Sequence, residues 1–288
     1  MSSILPRQTR AASADAGAPR RATAVANGGG PPARPRSLVD AVIDALMEGA
    51  ARGLILPGDR VAEPEIARKL GISRVPVREA LRLLESQGVV SSEPFKGIRL
   101  MPLTPERLHD LIEARVALET TAAARAVRSG RNGGPELARL ARLVADLDDA
   151  ARRGDPYGVA TADIRFHRAL LSFGRNDVLC AMWEGVARQA TIVFGLSTFG
   201  KPMPAIVDEH RTLIAVFRDG AVDAMSAALH EHIGAQTQAV DFAGIIARLR
   251  AERTVRAECS VRTGPDVHDG RVGPTRDRLS TPSKDLGA

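Results

Sequence analysis

The stretch that decides the fold is GISRVPVREALRLLESQGVV, residues 71–90. Its apolar residues recur at helical spacing and share one stripe: Val77, Ala80, Leu81 and Leu84. Three arginines, Arg74, Arg78 and Arg82, follow one another at intervals of four residues and therefore share a second face. A helix with this pattern packs its apolar stripe on the protein and presents positive charge to a partner.

The flanking segments indicate what kind of helix this is. Apolar spacing predicts a helix over 38–52, and PEIARKL predicts a short helix over 64–70 that Gly71 closes. After the quoted stretch, VVSSEP and FKGIRLM are typical of two short strands around a tight hairpin, with Lys96 near the tip. This order of helix, helix-turn-helix and hairpin predicts a winged helix-turn-helix.

A recognition helix of this kind inserts its first residues into the major groove of double-stranded DNA. Pro76 is tolerated only in the first helical turn, so the helix begins near Ser73 or Arg74, and Arg78 lies at the same end. The alternative is a solvated face whose arginines pair weakly with neighbouring glutamates. That alternative explains Arg82, but it does not explain the order of the surrounding elements.

The composition is that of a protein able to form a large core, with 288 residues, 44% hydrophobic content and a net charge of +6. The positive charge favours a polyanionic partner. Two cysteines without a CxxC spacing exclude a disulfide framework and a cysteine-based zinc finger. Without a secretion signal or a long uncharged segment, we expect a cytoplasmic protein that does not span a membrane.

The predicted fold class is mainly α, with the winged helix-turn-helix at residues 37–103 and an all-helical bundle at 104–250. The flanking segments 1–36 and 251–288 have no apolar periodicity and are predicted to be disordered tails. Breaker residues divide the bundle into about six helices: 105–129, 135–153, 157–173, 177–198, 204–219 and 221–250.

Asp163 and His167 are four residues apart, so on a helix both side chains can ligate one metal ion. His210 and His232 lie on two other predicted helices, and together the four would suit Zn²⁺ or another divalent first-row ion. His230 points to a different side of its helix from His232, so at most one of that pair faces the bundle. Each histidine alone is more often a core or surface residue than a ligand.

The segment PGDRVAEPEIARKLGISRVPVREALRLLESQGVV, residues 57–90, resembles the GntR superfamily of bacterial transcription regulators, in the branch with an FCD effector domain. The resemblance implies that Ser73, Arg74, Pro76 and Arg78 lie on the DNA-contacting turn and recognition helix. It also implies that Lys96 and Gly97 lie on the wing. The expected partner is therefore operator DNA.

The later motifs RVALE (115–119), DIRFH (163–167) and EHRTLI (209–214) resemble the FCD domain, which binds effectors and dimerises. The resemblance implies a metal, most simply Zn²⁺, on the positions Asp163, His167, His210 and His232. It favours His232 over His230, a six-helix VanR-like variant, and a small carboxylate metabolite bound above the metal. Arg115 is implied to face that effector.

We therefore predict a homodimeric transcription factor that binds a palindromic operator and responds to an organic acid. It is not expected to be an enzyme. Two alternatives from other classes remain at this point: a metal-dependent enzyme of hydrolase type that uses the Asp/His cluster, and an effector-independent architectural nucleic-acid binder that uses the basic tails.

Overall fold

The structure, a computed structural model, describes residues 37–262. Its first part contains three helices and a two-stranded hairpin: α1 (Leu38–Ala51), α2 (Glu63–Leu70), α3 (Arg74–Ser86), β1 (Val90–Glu93) and β2 (Gly97–Leu100). Ser37 and Asp40 form a capping box at the start of α1, and Gly71 ends α2 in the left-handed conformation. These elements follow in the order that defines a winged helix-turn-helix.

The second part of the described chain is helical throughout. It consists of α4 (Pro105–Arg128), α5 (Gly134–Arg152), α6 (Pro156–Phe173), α7 (Asp177–Ser197), α8 (Met203–Asp219), α9 (Val222–Leu229), a π-helical turn (His230–Ala235), α10 (Gln236–Gln238) and α11 (Phe242–Arg262). The predicted fold class, a winged helix-turn-helix followed by a helical bundle, is confirmed.

The end of the bundle differs from the sequence prediction in two ways. The predicted helix over 221–250 is interrupted after α10, and Asp241 starts α11 by accepting a hydrogen bond from Gly244 N at 2.9 Å. The predicted tail from residue 251 is helical as far as Arg262, so α11 is an additional helix. The part of α11 after residue 250 was not predicted because that segment has no apolar periodicity, and its Arg253 binds the loop between α1 and α2. The predicted tails 1–36 and 263–288 lie outside the described residues.

The wing is a hairpin that is joined to the loop between α1 and α2. Antiparallel pairing runs from Val90 opposite Leu100 to Glu93 opposite Gly97. On its other side β2 pairs with the loop, since Leu100 N donates to Asp59 O at 2.9 Å and Gly58 N donates to Leu100 O at 3.1 Å. The loop therefore fixes the position of the wing.

The DNA-binding part and the helical bundle share one hydrophobic core. Buried residues of α1 and α3 pack with Ile192, Val193 and Leu196 of α7 and with Phe242 of α11. A Cβ added to Gly195 of α7 would lie 2.5 Å from Ala51 Cα and 2.6 Å from Ala51 O. Glycine at this position lets α7 approach α1 at backbone distance, so the two parts are not independent bodies.

Within residues 37–262, every helix lacks the combination of length and apolar character that crossing a lipid bilayer requires.

We expect opposite effects from alanine at two glycines of α7. Gly195→Ala should destabilise the protein, because its methyl group would overlap the Ala51 backbone. At Gly185 an added Cβ meets nothing within 4 Å, so Gly185→Ala should stabilise the helix by up to about 1 kcal/mol. Urea unfolding of both variants measures the difference. Equal stabilisation by the two substitutions would contradict close packing of α7 on α1.

Candidate metal centre and nucleic-acid interface

Four side chains from three elements meet inside the bundle. Asp163 and His167 lie one turn apart on α6, His210 lies on α8 and His232 lies on the π-helical turn. All four are buried, and their ligand atoms lie within 4.8 Å of one another. The structure thus brings together all four positions that the sequence singled out, whereas His230 is exposed.

The separations within this cluster are those of ligands around a single ion. His210 Nε2 lies 3.1 Å from Asp163 Oδ1, and His167 Nε2 lies 3.2 Å from His232 Nε2. His167 Nε2 is 3.8 Å from Asp163 Oδ1. Two ligands bound at about 2.1 Å to one metal are separated by about 3.0–3.4 Å, so small movements would complete the coordination.

The other ring nitrogen of each histidine faces an oxygen acceptor. His167 Nδ1 pairs with Glu119 Oε2, and His210 Nδ1 donates to the carbonyl oxygen of Ile206 at 2.8 Å. His232 Nδ1 lies 3.3 Å from Glu209 Oε2. These contacts favour the proton on Nδ1 and turn the Nε2 lone pairs towards the centre of the cluster.

The protonation states of His232 and Asp163 at neutral pH favour cation binding. Burial lowers the pKa of His232, Glu209 raises it and the neighbouring histidines lower it, with a net value of about 4. Burial raises the pKa of Asp163, but His167 and His210 outweigh burial and hold it below its usual range. At neutral pH, Asp163 is therefore a carboxylate and His232 a neutral imidazole.

Glu119 is a functional residue that the motif analysis did not assign. It is fully buried on α4, where Oε1 accepts hydrogen bonds from Arg115 Nε at 2.9 Å and Trp183 Nε1 at 3.0 Å, while Oε2 pairs with His167. Burial raises its pKa, but Arg115, His167 and the hydrogen bonds lower it to about 2. Glu119 is thus a permanent anion that orients His167.

The residues fit a divalent cation. Both carboxylate oxygens of Asp163 and the Nε2 atom of His210 are buried without a hydrogen-bond partner. Leaving a buried carboxylate and facing lone pairs uncompensated is unfavourable, and a cation among them would satisfy all of these atoms. A set of three imidazoles and one carboxylate suits zinc or a related first-row ion.

A cavity of about 20 Å³ adjoins the cluster, which is about the space of one water molecule. Asp163 and His232 contribute to its lining, as do Lys201, Thr237 and Val240. Arg115, predicted to contact an effector, is not part of this lining: it is buried, and its guanidinium lies 4.7 Å from the ring centroid of Phe194. Its Nη2 atom is buried without a hydrogen-bond partner.

The predicted DNA-contacting residues lie at the start of α3. Ser73 and Arg74 are exposed, and the Ser73 side chain makes no cap hydrogen bond. Pro76 lies in the first turn of α3, as its missing N–H requires. Arg78 is exposed and pairs through two nitrogens with Glu63 of α2, at 3.0 and 3.3 Å, and not with a glutamate of its own helix.

The hairpin turn presents the predicted wing residues. Lys96 and Gly97 are exposed, and Arg60 lies against Gly97. Phe95, which the motif analysis did not single out, is fully exposed with a left-handed φ of 63°. A large apolar side chain in the left-handed region is uncommon. The tip of the wing therefore presents an unusual feature, an exposed aromatic ring next to the positively charged Lys96.

The comparisons with known proteins agree with this arrangement. The profile of the "Bacterial regulatory proteins, gntR family" matches residues 38–100, and that of the "FCD domain" matches residues 110–235. An uncharacterised HTH-type transcriptional regulator of Agrobacterium vitis is 37% identical over 135 residues, covering 46% of this chain and 79% of that relative. The chain belongs to the GntR family and carries an FCD domain.

Other relatives of this GntR-family protein agree. A probable D-xylose utilization operon transcriptional repressor of Paenarthrobacter nicotinovorans is 27% identical over 194 residues, covering 67% of this chain and 84% of the relative. Escherichia coli McbR/YncC shares the fold with a TM-score of 0.59 at 23% identity, covering 76% of this chain and 99% of that chain. A putative GntR regulator of Rhodococcus sp. RHA1 has a TM-score of 0.56 at 25% identity. The match covers 70% of this chain and 94% of that chain. The family profiles and the curated relatives identify the protein as a transcriptional regulator.

We expect Glu119→Gln to weaken metal binding about 10- to 100-fold, because the amide removes the charge that orients His167. Glu184→Gln is the matched control, since Glu184 pairs with Arg168 on the surface. Competition against a chelator of known affinity measures both variants. Equal affinities for Glu119→Gln and Glu184→Gln would contradict the role of Glu119.

Proposed function

We propose that this GntR-family regulator binds a palindromic operator as a homodimer and responds to a small carboxylate held beside a metal in its FCD domain. The observation that carries this proposal is the buried cluster of Asp163, His167, His210 and His232, with its unpartnered carboxylate oxygens. The repressor among its relatives supports repression as the direction of control.

Zn²⁺ is the metal that these ligands favour. Three neutral imidazoles and one carboxylate give borderline-soft donors, and four ligands leave positions open in an expanded coordination shell. When bound, the ion would neutralise Asp163 and offer a Lewis-acidic position to an incoming carboxylate.

A carboxylate effector requires more space than the cavity offers. About 20 Å³ accommodates one small group, so a metabolite must displace part of the lining. Lys201, Thr237 and Val240 belong to connecting segments after α7 and around α10, which move more readily than the helices. The unpartnered Nη2 of Arg115 is a donor that a carboxylate could satisfy once Phe194 shifts.

Homodimerisation is supported by an apolar surface on α7. Val178 and Met182 are 69% and 59% exposed on the first turns of this helix. A second copy of the chain would bury them and place the two α3 helices symmetrically. A symmetric dimer presents equal recognition helices, which is why we propose an inverted-repeat operator.

Operator contacts are proposed for both the recognition helix and the wing. Arg74 and Arg78 are positioned for base edges and phosphates, and Ser73 and Pro76 shape the turn that enters the groove. Lys96 and Gly97 allow the wing to approach the phosphate backbone closely. The Glu63 partner holds Arg78 extended from α3 before DNA is bound.

Elemental analysis of the tag-free protein should find about one metal per chain. Asp163→Ala and His167→Ala should remove it, because each eliminates a buried ligand. His230→Ala is the control, since His230 lies two residues from His232 but is exposed. Metal retained in both ligand variants, or lost in the control, would refute the proposed centre.

DNA binding is best tested on a duplex selected from a randomised library. Arg74→Ala should cost about 1–3 kcal/mol and relax specificity at one position of each half-site, as expected for a base contact. Lys96→Ala should weaken binding evenly across sequences and reduce the salt slope by about one. Arg82→Ala, further along α3, is the control. Titrations at several salt concentrations distinguish these effects, and equal losses in all three variants would contradict the assignment.

A further inference from the structure

The last helix of the described chain returns to the DNA-binding part. From α11, Arg250 Nη2 donates to Pro57 O at 2.6 Å. Arg253 Nη1 donates to Leu54 O at 3.3 Å and to Asp59 Oδ2 at 2.6 Å. Two arginines near the end of the described chain therefore hold the loop between α1 and α2.

This loop supports the wing. Asp59 Oδ2 also accepts a hydrogen bond from Leu56 N at 2.9 Å, which fixes the shape of the loop. Asp59 O accepts a hydrogen bond from Leu100 N at 2.9 Å, and Gly58 O accepts one from Arg99 Nη1 at 2.7 Å. The loop is therefore bound to β2 through both a backbone and a side-chain donor. A displacement of Asp59 would displace the wing.

The start of α11 lies beside the metal cavity. Thr237 and Val240 line the cavity together with His232, and Phe242, the first residue of α11, is buried in the shared core. Ile245 contacts the position of Gly200, which follows α7. A helix rises about 1.5 Å per residue, so α11 spans about 16 Å between Phe242 and Arg253 as one rigid rod.

Arg253 differs from an ordinary surface charge. Arg253 and Asp59 are 35% and 20% exposed, and Arg253 bonds a carbonyl and a carboxylate with one guanidinium. A lysine keeps the charge but lacks the planar group that serves both acceptors. The contacts also lie outside residues 110–235, the range that matches the FCD domain.

We propose that Arg250 and Arg253 are positioning residues that fix the base of the wing and transmit the state of the metal cavity to it. The inference rests on the proposed metal site for its second half only. Movement of Thr237 and Val240 shifts the start of α11, and the rigid helix carries that shift to the loop at Asp59. The wing then has two positions, selected by what occupies the cavity.

The test is hydrogen exchange of full-length protein at residues 54–61 and 97–101, with zinc added or removed by a chelator. Arg250→Ala/Arg253→Ala is compared with Arg256→Ala, an exposed arginine of the same helix. Arg253→Lys is a second variant that keeps the charge and is expected to restore only part of the protection. Thermal unfolding and zinc titration of each variant establish that fold and metal affinity are retained.

Without zinc, the double variant should exchange several-fold faster at both segments than the wild type and Arg256→Ala; unchanged exchange would overturn the positioning role. In wild type, zinc should alter exchange at 97–101, and this response should be absent from the double variant. A wild type that binds zinc without this response, or a double variant that keeps it, would overturn transmission. If wild type binds no zinc, the proposed metal site fails, and the zinc-free comparison still decides the positioning role.

Discussion

The ionised Asp163 carboxylate inside the bundle is the constraint on which the arrangement of the FCD domain depends. A buried charge is unfavourable unless it is compensated, and the groups that face this one are the imidazole Nε2 atoms of His167 and His210. The surrounding elements are placed accordingly: α6 and α8 supply the side chains of the cluster, α4 supplies Glu119, and the chain adopts a π-helical turn where His232 enters. Such turns occur frequently at functional sites because one extra residue re-aims a side chain.

Two helices connect this centre to the DNA-binding part by different means. α7 carries the exposed Val178 in its first turn, Trp183, which donates to Glu119, further along, and Gly195 against α1 in its last turn. α11 packs Phe242 into the same core, but it reaches the loop between α1 and α2 through polar contacts. Close apolar packing transmits rigid-body displacement, whereas a few hydrogen bonds can exchange partners at little cost. We infer that α7 keeps the two parts together and that α11 adjusts the wing.

Features encoded within a few residues could be predicted from sequence. Pro76 defines the start of α3, Gly71 defines the turn before it, and the four-residue spacing of Asp163 and His167 places two potential ligands on one face. Contacts between distant residues outside the recognised ligand positions could not be predicted. Glu119 meets His167 across 48 positions, and Arg253 meets Asp59 across 194, and neither contact leaves a periodic signal in the chain. The break before Asp241 was missed because no glycine or proline marks it.

The size of the metal cavity limits how an effector can act. A ligand shifts a conformational equilibrium only by its difference in affinity between the two states. The proposed organic acid is larger than a cavity of about 20 Å³, so its binding would require the lining to open. Coupling between two binding sites is reciprocal. If the effector weakens operator binding by some factor, operator DNA weakens effector binding by the same factor. Under this proposal the small cavity would couple the two sites strongly, while the free energy of opening would lower the apparent affinity for the effector.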